Sequence, residues 1–115
     1  IECVASGSGI DPSESPPRFV VGNITRDYST VWYAGTMVHD AAHSRLYKKY
    51  LDAHPGQAVP EDVWGRTGPS AEKTALAVQE VALTEMGAPQ SDIDYVRQIL
   101  NNPQYQTVPY SERWW

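Results

Sequence analysis

The sequence has one cysteine, few cations and no apolar run near the ~20 residues needed to cross a bilayer. With Cys3 alone there is no internal disulfide and no cysteine-rich zinc knuckle, and the simplest role for that thiol is as a small buried apolar side chain. Lys and Arg number 9 against 14 Asp and Glu, a net charge of −5. No basic patch able to neutralise a phosphate backbone results, so nucleic acid is not an expected partner. No basic-then-apolar signal segment opens the chain, and it does not begin with Met. The expectation is a soluble processed product, or a domain of a larger precursor, with no membrane span. Internal repeats and low-complexity segments are missing too.

What the 115 residues do contain is enough for one modest core, read here as a single domain over 1–115. Within 1–28, the β-branched runs at 1–5 and 18–24 read as two strands flanking the loop SGSGIDPSESPP. From Ser29 the pattern takes on helical period. A helix over 29–51, capped at Ser29 or Thr30 and ended by His54-Pro55-Gly56, is followed by a proline-punctuated connection over 52–69. A second helix spans 70–86, with Ser70 as cap and Gly87 as stop. A third spans 91–101, where Ser91 and Asp94 have capping-box spacing. The aromatic tail 102–115 reads as an extended strap. The expected fold class is α+β, a small N-terminal sheet followed by three helices.

Chemistry concentrates in 39-HDAAH-43. At 100° per residue from Gly35, the apolar stripe of the first helix runs through Val31, Val38, Ala42 and Leu46. His39 lies at about 40° and His43 at about 80°, on its flank, and Asp40 near 140°, more open. Two imidazoles one turn apart at a core boundary can converge on one metal ion, although an i,i+4 pair also arises by chance on packed or exposed helices. The second helix supplies independent support. Its stripe at 72, 75, 76, 79, 82, 83 and 86 holds Ala75, Leu76, Ala82, Leu83 and Met86, but also Glu72 and Gln79. A carboxylate and an amide on a buried face are costly unless something satisfies them, and a metal on the facing helix would satisfy Glu72. An acid in a first turn is also favourable with the helix dipole alone.

The HDAAH helix resembles the active-site helix of the zincin metallopeptidases, whose motif is HExxH. With Glu72 on a later helix, the arrangement over 18–86 resembles that of the gluzincins. The resemblance implies one divalent metal, zinc, held by His39, His43 and Glu72 with water in the fourth position. It also implies a peptide or protein substrate, and Asp40 as the base that activates the water. Leu46 and Lys49 stand where a metzincin would have its glycine and third histidine, so that branch does not fit. At Asp40 the family has Glu. The acid here is shorter by one methylene, about 1 to 1.5 Å of reach, and misplacement of that size can cost on the order of 100-fold in rate.

Two rivals belong to other classes. The string Val38-His39-Asp40-xx-His43 also resembles the HD-domain phosphohydrolases, which need a further ligand histidine upstream and a mostly helical scaffold; no histidine precedes His39. A non-catalytic metal-binding or protein-interaction module is the other, and Asp40 is the residue that favours it. His54, Asp62 and Glu80 compete with Glu72 for the third ligand position, but only Glu72 lies on the apolar stripe. Tyr47, Tyr105 and Tyr110 are conceivable hydrogen-bond donors to substrate, while Trp32, Trp64, Trp114 and Trp115 read as packing or partner contacts.

Overall fold

A computed structural model describes residues 23–65 and 69–101 with their side chains, apart from those of Ile24 and Arg26, and the backbone of 2–4, 9–11 and 18–22. Among the described residues five helices follow one another: α1 (Asn23–Tyr28), α2 (Thr30–Ala53), α3 (Glu61–Trp64), α4 (Pro69–Glu85) and α5 (Gln90–Asn101). Among the described residues no helix is long and apolar enough to cross a membrane.

Local chemistry sets the helix ends. Ser29 caps α2 as expected: its backbone is extended and its Oγ accepts the Trp32 N–H at 2.9 Å, satisfying one of the first-turn donors. His54 closes the same helix. Helix α4 stops at Gly87, whose φ of 71° is open to glycine at no steric cost; Ala88 N–H then reaches the Leu83 carbonyl and Gly87 N–H the Thr84 carbonyl, the paired bonds of a Schellman turn. Helix α5 begins one residue before the expected start, and Asp94 accepts from the Gln90 side chain at 2.8 Å instead of closing a box with Ser91.

The body is built helix on helix. Trp32 from α2, Leu76 and Leu83 from α4, and Ile93, Val96 and Ile99 from α5 form one buried cluster. Helix α4 thus packs between α2 and α5, and Trp32 reaches from α2 into the same cluster. Tyr28 Oη donates to the buried Asp92 Oδ1 at 2.7 Å, tying α1 to the start of α5. Helices α2 and α4 run antiparallel in close contact, and Gly35 sets the spacing: a Cβ there would lie 2.7 Å from Leu83 Cδ2.

The expected α+β architecture is corrected. Residues 23–65 and 69–101 are 82% helical and hold no strand, so the body is all-α. Short extended stretches precede it, β1 (Glu2–Val4), β2 (Gly9–Asp11) and β3 (Arg18–Gly22), in backbone order β1-β3-β2. They meet one another and α1, and form no layer against α2, α4 or α5. The β-branched run at 18–24 also ends early, because Asn23 and Ile24 belong to α1. The reason is in the packing. Helix α5 takes the place against α4 that a sheet would fill, and its apolar residues complete the core.

The buried arc of α2 is rotated from the expected one. Trp32, Gly35, Ala42 and His43 are buried, whereas Val31, Val38 and Leu46 are half-exposed. Helix α2 is covered by α4 and, beside it, by α3, which contacts both; this second cover moves His43 from the flank of the stripe into the interior. On α4 the stripe agrees with expectation through Glu72, Ala75, Leu76, Gln79 and Leu83, but Met86 at its end is exposed.

Candidate metal centre

Beyond the apolar cluster, the middle of α2 faces the first half of α4. The antiparallel pairing brings Gly35 opposite Leu83, His39 opposite Gln79 and His43 beside Glu72. Small residues line this part of the contact: Ala42, Ala71 and Ala75 are all buried, so the polar side chains between them are drawn close.

Three of those side chains converge. His39 Nε2 lies 2.9 Å from Glu72 Oε1, His43 Nε2 lies 3.1 Å from Glu72 Oε2, and the two Nε2 atoms are 3.2 Å apart. One ligand atom from each residue falls within 4.8 Å of the others. For bond lengths of ~2.0–2.1 Å at a tetrahedral angle, ligand atoms should be roughly 3.3 Å apart. The two Nε2 atoms stand at about that separation, and each lies within a few tenths of an ångström of it from one or the other Glu72 oxygen. His43 and Glu72 are 1% and 2% exposed, so the open side of the cluster lies toward His39 and Asp40, both half-buried.

The other nitrogen of each ring is held. His43 Nδ1–H donates to the Trp64 backbone carbonyl at the end of α3. A carbonyl can only accept, so the proton of neutral His43 sits on Nδ1 and the Nε2 lone pair faces the cluster. His39 Nδ1 lies 2.9 Å from Gln79 Oε1, in the same sense. Tyr47 packs edge-on against Trp64, with ring centroids 5.3 Å apart, which steadies the carbonyl and accounts for that tyrosine as a packing residue.

Electrostatics follow from this geometry. Burial disfavours the charged form of His39, but its hydrogen bond to Glu72 and the charges of Glu72 and Asp40, with help from Gln79, outweigh burial and raise its pKa above 6.5. Asp40 is pushed up to about 6, chiefly by burial, with Glu72 adding to the rise and the two imidazoles opposing it.

Glu72 and Gln79 are thus buried as their places on the stripe imply, and each faces an imidazole. The competitors lie elsewhere. Glu80 pairs with Arg97 of α5. Asp62 is exposed on α3. His54, half-buried, stacks on Tyr50 with centroids 4.0 Å apart, at the far end of α2. Trp32 and Trp64 are buried packing residues. Cys3 lies where only the backbone is described, and Tyr105, Tyr110, Trp114 and Trp115 lie outside the described residues. Sequence reasoning missed the Trp64 carbonyl, because a backbone acceptor leaves no trace in residue type. It also missed α3, although Pro60 followed by Glu61 and Asp62 is a helix-start signal.

Compared with models of known families, with curated proteins and with solved structures, the chain finds no significant match in any of the three.

Proposed function

We propose that this chain binds one divalent metal, zinc, through His39, His43 and Glu72, and that the site hydrolyses a peptide bond in the manner of the zincins. The observation that carries the reading is the convergence of two imidazole Nε2 atoms and one buried carboxylate at ligand spacing, with a fixed acceptor behind His43. In the metal-free protein a proton on His39, held against Glu72, balances the carboxylate; a divalent cation would take the place of that proton at the same point.

A metal so held supplies Lewis acidity and a water acidic enough to lose its proton near neutral pH. The chain's own residues contribute the rest. His39, His43 and Glu72 hold the cation, and α2 and α4 exclude solvent from its inner side. Asp40, on the open side, would take a proton and return it to the leaving amine. Its shorter reach than glutamate makes slow turnover the expected behaviour.

The phosphohydrolase reading would use His39 and Asp40 as adjacent ligands. The cluster instead joins His39 to His43, and Asp40 is not part of it. The remaining alternative is a metal-binding module without catalysis. Metal analysis of protein purified without a histidine tag, followed by a chelator-sensitive peptide-cleavage assay, separates the two. One zinc per chain with cleavage supports the enzyme, one zinc with no cleavage leaves the module, and no zinc in excess metal refutes both.

A further inference from the structure

Gln79 is a buried amide on the inner face of α4, 4% exposed, between Leu76 and Leu83. Burying an amide costs free energy unless it is hydrogen-bonded, and its bonding partner is His39 Nδ1 at 2.9 Å. Seven residues after Glu72, it falls on the same face two turns along, so α4 meets the His39 ring on both sides: Glu72 at Nε2, Gln79 at Nδ1. The glutamine is itself confined. Its Cγ lies 3.6 Å from where a Cβ of Gly35 would stand, so its stem lies close against α2 beside that glycine.

We propose that Gln79 is a positioning residue for the metal centre: its Oε1 accepts from His39 Nδ1–H, fixing the ring so that Nε2 is the atom presented to the cation. This rests on reading the site as a metal centre. The amide's other orientation would aim its NH₂ group at Nδ1, require the proton on Nε2 and block that nitrogen as a ligand. His43 has the Trp64 carbonyl for the same task, a backbone group that no substitution removes. His39 has a side chain, which makes its half of the site the part that mutation can loosen.

A packing role and a positioning role predict opposite results for two substitutions. Gln79→Leu keeps approximate volume and removes the acceptor. Gln79→Glu keeps an acceptor at the same reach but buries a charge. If Gln79 only fills space, Leu is the benign change and Glu the harmful one. If it positions His39, Glu is the benign one for metal binding, because a carboxylate also accepts from Nδ1–H.

The experiment is a zinc titration against a competing chelator on wild type, Gln79→Leu and Gln79→Glu, with thermal unfolding of each metal-free protein as a fold control. Gln79→Leu should lose ~10- to 100-fold in zinc affinity while still melting cooperatively, and Gln79→Glu should stay within about threefold of wild type. Loss in Gln79→Glu with retention in Gln79→Leu, or equal affinity in all three, overturns the proposal while leaving the metal centre standing. Wild-type protein that takes up no zinc overturns the metal-centre reading and this inference with it. Should Gln79→Leu fail to fold, nitrogen NMR of zinc-loaded wild type decides. Slowly exchanging Nδ1–H protons on both His39 and His43 support the proposal; a rapidly exchanging one on His39 alone overturns it.

Discussion

Substituting Glu72 by Gln removes the only carboxylate in the cluster at almost no change in volume, which makes it the sharpest single test of the metal centre. A ligand that binds the folded state alone stabilises it by RT ln(1 + [L]/Kd), about 4.1 kcal/mol at a thousandfold excess over Kd. For a chain of 115 residues, each kcal/mol moves the melting temperature by roughly 3–6 °C. Zinc at that excess should therefore raise the wild-type Tm by roughly 12–25 °C, and a chelator should return it. Even residues that only orient a ligand cost up to ~100-fold in affinity when lost, so losing the ligand itself should cost at least that. At the same zinc concentration the excess then falls to tenfold or less. The stabilisation drops to about 1.4 kcal/mol, roughly 4–8 °C. Glu80→Gln is the matched control, on the same helix but paired with α5 instead of the cluster. Glu80 pairs with Arg97 near the surface, an interaction worth ~0–1 kcal/mol, and its loss should leave the zinc-induced shift unchanged. Differential scanning calorimetry of the three proteins with zinc and with chelator gives all the numbers. Equal zinc shifts in Glu72→Gln and wild type would refute the assignment of Glu72 as a ligand, and no shift in wild type would refute the site.

Other outcomes follow from the same geometry. In the metal-free protein the raised pKa of His39 means that its stabilising contribution is complete below pH 6.5 and is lost as pH rises through the higher folded value; zinc affinity should move the opposite way, so the zinc-induced Tm shift should grow from pH 6 to pH 8, and a flat or falling shift would contradict this. Asp40, raised from 3.8 to about 6, costs stability that accrues as pH climbs through that range; Asp40→Asn should make the metal-free protein more stable at neutral pH by about 1–3 kcal/mol, measured by urea unfolding, while abolishing any chelator-sensitive peptide cleavage. Asp40→Glu should retain zinc and raise cleavage of an unstructured peptide by restoring reach; a fall in rate would mean that the pocket is shaped to the shorter acid. Gly35→Ala would place a Cβ 2.7 Å from Leu83 Cδ2, and overpacking of ~1–3 kcal/mol should outweigh the ~1 kcal/mol gained in helix propensity; zinc affinity should fall as α2 and α4 are wedged apart, and an unchanged affinity in a chelator competition would argue against that coupling.

How much of this was legible beforehand depended on whether the information is local. Helical period, the Ser29 cap and the Gly87 stop are properties of a few neighbouring residues, and they stand as read. So does the presence of His39 and His43 on one side of α2, because i,i+4 spacing allows nothing else. The burial of Glu72 and Gln79 was readable from their places among Leu76 and Leu83, since a helix cannot turn its apolar face inward without carrying the polar residues on that face with it. The fold class was not readable. Short β-branched runs at 1–5 and 18–24 satisfy strand patterning, yet whether strands form a layer depends on what else competes for the apolar face of α4, and there α5 takes the place. Nor could residue order say that α3 folds over α2, carrying His43 inward and setting the Trp64 carbonyl against its Nδ1. The sequence alone determined that two imidazoles lie one turn apart at the edge of one helix's apolar stripe and that a carboxylate lies on the stripe of another. Their meeting within hydrogen-bonding distance was decided by the antiparallel pairing of α2 and α4 at Gly35, a long-range contact whose register no local pattern encodes.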